Sequence, residues 1–289
     1  MGIDIDHLRQ WIGRSEDVSD VATAAPLACL AATLDRDDPA PQNGDAVPPG
    51  AHWLYFLEPA RQSDLDANGH AKKGGFLPPV PFERRMWAGG RIKFLKPLRV
   101  GDAITKHSEV VDVTTKDGKS GPLVFVLVRH EISGPDGSAI IEEHDIVYRG
   151  EAPSPTAKAP PPSLADKSAD APWRRVIDPD PVLLFRYSAL IFNGHRIHYD
   201  RDYVTRQEGY PGLIVHGPLI ATLLMDLFRR ENPDARLTRF DYRAKAPVFD
   251  LGPFTVAGEP SGEANKASLW ALDHEGRPAM TAEAEFVAA

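Results

Sequence analysis

The feature that most constrains this chain is that it says the same thing twice. In its first half, Arg91-Ile-Lys-Phe-Leu-Lys-Pro97 alternates in polarity and runs into Val100-Gly-Asp102, and strand-like stretches follow over 104–113, 123–132 and 139–148. In its second half, Phe240, Tyr242, Ala244 and Ala246 alternate into Pro247 and then Leu251-Gly252, with strand candidates over 254–257, 267–272 and 280–287. The last two strands are joined through Gly134-Pro-Asp-Gly137 in one half and Asp273-His-Glu-Gly276 in the other. Pro97 and Pro247 lie 150 residues apart, and Gly137 and Gly276 lie 139 apart. A shared order at a near-constant offset reads as an internal duplication, so the chain must place two similar units side by side.

Between the units, the boundary region 151–180 carries seven prolines and little that could join a core. We therefore expect a first unit over 1–150, a proline-rich linker over 151–172 and a second unit over 173–289. Arg36–Gly50 and Ser63–Pro81, rich in Gly, Pro and polar residues, are expected as surface loops. Each unit offers a helix ahead of its strands. Pro218 sits where a first turn tolerates it, and Leu219, Ile220, Leu223, Leu224, Leu227 and Phe228 recur at helical spacing until Asn232-Pro233. His52-Trp-Leu-Tyr-Phe-Leu57 is expected to be the matching first-half helix. Ser19–Leu34, with Ser19 as N-cap, and Pro181–Leu190 are expected as an earlier pair. A helix followed by a long antiparallel sheet that curls around it is a layered α+β arrangement.

Composition narrows the function. With 33 Lys and Arg against 41 Asp and Glu, the net charge of −8 offers no basic footprint, so no nucleic-acid partner is expected. No apolar run reaches the ~18 residues of a membrane span, and no membrane partner is expected. Met1-Gly-Ile-Asp-Ile-Asp-His7 lacks the basic and apolar segments of a secretory leader. A single cysteine, Cys29, excludes disulfide frameworks and CxxC zinc sites; it is expected to be a small buried residue of a helix. A cytoplasmic location is the expectation.

The chemistry concentrates in Tyr187-Ser-Ala-Leu-Ile-Phe-Asn-Gly-His-Arg-Ile-His-Tyr-Asp200 and Leu213-Ile-Val-His-Gly-Pro218. Here a carboxamide, Asn193, and two imidazoles, His195 and His198, precede a predicted helix opening at His216-Gly217-Pro218. A neutral imidazole is matched to proton transfer near pH 7, a glycine at a helix start admits close approach to backbone amides, and a carboxamide can hold a water without acting as a base. Any one of these histidines taken alone is more often a polar surface or capping residue. A zinc site built from His195, His198, Asp200 and His216 is conceivable by ligand type. The pattern below explains the same residues without metal, so neither metal nor cofactor is expected.

These two segments, with Arg85-Met-Trp-Ala-Gly-Gly-Arg91 in support, resemble the tandem hotdog MaoC-like dehydratases, the hydroxyacyl-thioester dehydratases of type 2, over almost the whole chain. The resemblance implies a double hotdog fold and reversible hydration of a 2-enoyl thioester, with an acyl-CoA thioester as partner and short branched dicarboxylic acyl groups favoured. In related (R)-specific hydratases an Asp, and a His five residues later, hold the water. Registering His198-Tyr-Asp200 on that ending makes His198 the base and puts Asn193 at the Asp position, a departure that this subgroup resembles. A helix serine of single-hotdog relatives falls at Met225.

The resemblance thus implies Asn193, His198 and Gly217 as catalytic residues. His195, Val215, His216 and Trp87 are implied on the substrate side, Trp87 in the pocket wall; Arg91 is a candidate receptor for CoA phosphates because guanidinium groups suit phosphate, the alternative being a solvated strand face. The first half, having no Asn/His string, is expected to be non-catalytic. A homodimer is compatible with the tandem arrangement. Two other classes stay open: a hotdog thioesterase, for which Asp226 is the only evident helix carboxylate, and a non-catalytic acyl-binding protein.

Overall fold

The computed structural model describes residues 3–82, 84–118, 121–150 and 170–288. Most of the expected linker therefore lies outside the described residues. The first half contributes β1 (Ser15–Val21), β2 (Arg84–Phe94), β3 (Ala103–Gly118), β4 (Gly121–Gly134) and β5 (Gly137–Arg149). The second contributes β6 (Trp173–Ile177), β7 (Ala235–Ala244), β8 (Phe254–Pro260), β9 (Lys266–Leu272) and β10 (Pro278–Ala288). Together they form one antiparallel sheet in the order β1-β3-β4-β5-β2-β7-β10-β9-β8-β6. Each half runs first-third-fourth-fifth-second from its outer edge to the seam, so the duplication read in the sequence is a duplication of topology.

The seam is the β2–β7 pair, where Ile92 faces Phe240 and both are fully buried. Gly89 and Gly90 are required there: a Cβ on Gly89 would meet the Tyr242 carbonyl oxygen at 2.5 Å, and one on Gly90 the Tyr242 hydroxyl at 2.4 Å. The halves also match in their irregular parts. The amides of Leu95 and Lys96 donate to the Ala139 carbonyl, as those of Lys245 and Ala246 do to Ala279. The Val47 amide donates to the Leu98 carbonyl, as that of Val215 does to Val248. This last pair sets the halves in register, placing Pro48-Pro49-Gly50 where the second half has His216-Gly217-Pro218.

Among the described residues, five α-helices accompany the sheet: α1 (Ile5–Arg9), α2 (Ala24–Thr33), α3 (Pro181–Leu190), α4 (Arg201–Arg206) and α5 (Gly217–Glu231). Every residue of α5 from Leu219 to Phe228 is buried, as a helix apolar on nearly all sides must be. It packs on strands of the second half and is closed by the Asn232 amide, which donates to the Phe228 carbonyl.

Three expectations change. Ser15–Val21 alternates in exposure and pairs with β3, so the helix begins at Ala24 with Thr23 at its N-cap rather than at Ser19. At the place corresponding to the start of α5, the described residues of the first half form a 3₁₀ turn over Ala51–Leu54 in place of a long helix. Two prolines precede that turn, and Phe56 takes a positive φ of 59° just after it. The Met225 side chain of α5 also lies 2.6 Å from where a Cβ of Gly50 would be, so the space beside the turn is already filled. Cys29 is on α2, as expected, but exposed.

Candidate active site

The Asn193–His198 turn is built by local bonding. Phe192 adopts φ 49°, which folds the chain back so that the Asn193 amide donates to the Ser188 carbonyl at 2.8 Å. The Asn193 Oδ1 then accepts from the His195 amide at 3.0 Å, an Asx-type closure. A 3₁₀ turn over Arg196–His198 follows, and Asp200 ends it by capping α4 through the Tyr203 amide while pairing with Arg196. Asp200 is therefore committed to structure, and it does not join the imidazoles as a metal ligand.

His198 is buried and its orientation is fixed. Its Nδ1 lies 2.7 Å from the Ile214 carbonyl, an acceptor only, so Nδ1 carries the proton and Nε2 presents a lone pair. Burial lowers its pKa to about 4, against the raising effect of that same bond. The His216 ring stacks on it at 3.6 Å between centroids, and its Nε2 is 2.8 Å from the Ser188 hydroxyl. Burial, then the neighbouring His198 and His195, holds His216 well below the ordinary histidine range. His195 lies edge-on to His198 at 5.6 Å, and its pKa is pushed down to about 3, first by burial and then by His198 and Arg85. The cluster is thus neutral at physiological pH, as a base requires.

Gly217 opens α5 directly after His216, and first-turn amides of a helix have no intrahelical acceptor. A Cβ there would stand 3.9 Å from Cε3 of Trp87, so the first-half tryptophan faces the start of the second-half helix. Val215 is buried beside them and bonded to Val248. The structure therefore gathers Asn193, His195, His198, Val215, His216, Gly217 and Trp87 into one region. Arg91 is occupied elsewhere: its Nε donates to Glu143 at 2.6 Å and its two terminal nitrogens to Asp145 at 2.8 and 2.9 Å. All of its nitrogens serve carboxylates, which is a different task from the expected phosphate receptor. Asp226 is also occupied, lying beneath Arg36, Arg175 and Arg230 at 2.7 to 2.8 Å.

Two groups escaped the sequence reading. One is the loop around His70, whose ring lies 4.1 Å from that of His195; only its Asn68-Gly69 turn signal was visible. The other is Glu142, a buried carboxylate held by His52 Nε2 at 3.0 Å, His144 Nε2 at 2.5 Å and Trp53 Nε1 at 2.9 Å. Burial alone would raise its pKa, but His144 and His52 overcome that and keep it well below the usual carboxylate value. Trp53 and His144 both pack edge-on to Trp87, so this network braces the wall opposite Gly217.

Residues 50–250 match the family model of hydroxyacyl-thioester dehydratase type 2. The chain belongs to that family. The mesaconyl-C(4)-CoA hydratase of Chloroflexus aurantiacus is 46% identical over 96% of each chain. A solved MaoC-like dehydratase superposes with a TM-score of 0.70 at 12% identity, covering 96% of this chain and 98% of the other. A Mycobacterium tuberculosis protein described as a double hotdog fold superposes at 0.59 with 14% identity, covering 96% of each. These structural likenesses carry the fold, which for this hydroxyacyl-thioester dehydratase type 2 chain is a double hotdog.

Proposed function

We propose that the protein is a hydro-lyase that reversibly adds water to 2-enoyl-CoA thioesters. The observation that carries the reading is the His198 Nδ1–H bond to the Ile214 carbonyl, which leaves Nε2 as a base beside the opening of α5. In the hydration direction, Nε2 takes a proton from water while the water oxygen bonds to the β-carbon. The π electrons move through the α-carbon onto the thioester oxygen. Amide donors at the start of α5, Gly217 among them, receive that negative charge, a contribution of roughly 3–4 kcal/mol where such donors are well aimed. The imidazolium then returns its proton to the α-carbon, giving the 3-hydroxyacyl thioester and the neutral base. One imidazole thus carries the proton in both steps.

In this reading Asn193 orients the water. Its Oδ1 already closes the turn, so the two Nδ2 hydrogens are what it offers. Val215, His195 and His216 shape the surroundings of the base, and Trp87 walls the acyl side. The identity to a mesaconyl-C(4)-CoA hydratase supports short branched dicarboxylic acyl groups as substrates. The first unit, 1–150, serves as pocket wall and the second, 173–289, bears the base. A cytoplasmic homodimer completes the reading, with sedimentation as its check.

Hydrolysis fits the geometry less well, because Asp226, the carboxylate it would need, is tied to three guanidinium groups. A panel of enoyl- and saturated acyl-CoA thioesters decides. Loss of enoyl absorbance without thiol release is expected; thiol release from both classes would replace this reading with a thioesterase, and no reaction with a binder.

A further inference from the structure

The first half spans 51 positions from Val47 to Leu98, where the second spans 33 from Val215 to Val248. Part of this extra length folds into a compact loop. The Asp66 amide donates to the His70 carbonyl at 2.7 Å, the Gly69 amide to the Asp66 carbonyl at 2.9 Å, and the Lys72 amide to the Asp64 carbonyl at 3.0 Å. The Asn68 side chain accepts from the His70 amide at 2.9 Å. The loop holds its own shape and has a place to dock.

That place is the Asn193–His198 turn. The Arg196 amide donates to the Asn68 carbonyl at 2.9 Å, and the Arg196 guanidinium to the Ala67 carbonyl at 3.0 Å. Gly69 lies against Gly194 so closely that a Cβ would fall 1.9 Å from the Gly194 carbonyl oxygen, and its φ of 91° is one that glycine alone adopts without strain. The His70 ring packs on His195 at 4.1 Å. Its Nδ1 is 3.0 Å from an Arg85 terminal nitrogen, a donor only, so Nδ1 accepts and the ring is the neutral tautomer. A backbone bond, a side-chain bond, a close glycine contact and a ring contact thus converge on the turn from the other half of the molecule.

We propose that this first-half loop is part of the catalytic centre, with His70 a positioning residue that acts through His195 on the turn carrying Asn193 and His198. The inference rests on the hydratase reading and changes its division of labour, since the first half then fixes the geometry of the base as well as walling the pocket. His70 faces Arg85 on one side and His195 on the other, which locks both rings at once. Small displacements of a catalytic group are costly; about 1 Å of misplacement is enough for roughly a hundredfold loss.

The test uses the full chain with His70→Ala, His70→Phe and Gly69→Ala. Hydration of a 2-enoyl-CoA is read alongside the ring ¹⁵N resonances of His195, His198 and, as a control at the β1–β3 edge, His107. His70→Ala and Gly69→Ala are expected to lower kcat by about tenfold or more with KM within about twofold, and to move the His195 and His198 resonances but not that of His107. His70→Phe, which keeps a ring against His195, is expected to recover much of the lost kcat. A kcat within about twofold of the parent in both His70→Ala and Gly69→Ala, or unmoved His195 and His198 resonances, overturns the proposal. If the parent hydrates no thioester, the function reading fails, and the resonances alone decide whether the loop positions the turn.

Discussion

Lowering the pH from 7.5 to 5.5 should leave the reaction nearly untouched while weakening the fold, and His198 accounts for both. An ordinary imidazole of pKa 6.5 would be only about 9% neutral at pH 5.5, and a base of that kind would lose roughly tenfold in rate. With the pKa of His198 lowered by burial to about 4, about 97% of it remains neutral at pH 5.5. The kcat/KM profile is therefore expected to be flat to about pH 5, with its acid limb near 4. Stability moves the other way. Below pH 6.5 the unfolded chain binds a proton on this residue and the folded chain does not, so unfolding is favoured as pH falls from 6.5 towards 4; above 6.5 both states are neutral and the residue contributes no pH dependence.

Between pH 7.5 and 5.5 the difference is about 1.4 kcal/mol for one such imidazole, and His195, lowered to about 3, adds a similar amount. Urea unfolding of the parent and of His198→Ala at both pH values measures it. The parent should lose more stability than the variant, by about 1.4 kcal/mol, whatever the variant's starting stability. An acid limb of kcat/KM near 6.5, together with equal pH losses in the two proteins, would refute the reasoning.

Other outcomes follow from the same geometry. His198→Ala should lower turnover by about a hundredfold or more while the protein stays folded, as judged by circular dichroism and steady-state hydration. Asn193→Ala should lower kcat with KM nearly intact, and Asn193→Asp, which keeps the acceptor for the His195 amide but loses the Nδ2 donors, should preserve the fold better than the rate; a rise in KM at constant kcat would make Asn193 a substrate-binding residue. Arg91→Ala should change KM for CoA thioesters and for truncated thioesters alike, because its nitrogens serve Glu143 and Asp145; a selective loss for the CoA form would return it to phosphate binding. Asp226→Ala should cost about 3–5 kcal/mol in chemical denaturation, since it removes the buried carboxylate that three guanidinium groups share, with kcat little altered in the protein that remains folded.

The sequence made the sheet legible because alternation, prolines and Gly turns are local signals, and both copies carry them. It made the imidazole cluster legible because Asn193, His195 and His198 share one turn and His216 begins the next helix. What it hid depends on contacts between distant segments. His52-Trp53 is apolar enough to read as a helix, yet it is a 3₁₀ turn because α5 of the other half fills the adjoining space. Ser19 resembles an N-cap, yet it pairs with Thr105 across a sheet edge that no local signal announces. Arg91 reads as an open cation until the register brings Glu143 opposite it and Asp145 within reach. Glu142 and His70 acquire meaning through partners some 90 to 125 residues away.

The register between the halves has one further consequence. At the place where the second half presents His216-Gly217 the first presents Pro48-Pro49, and proline has no amide hydrogen to offer an oxyanion. Two hotdog units related by symmetry would offer two equal sets of helix-start amides; here the first half lacks that donor at the backbone itself, because the proline ring occupies the nitrogen. Titration with a tight-binding thioester should accordingly reach saturation at one equivalent per chain, with no second, weaker phase.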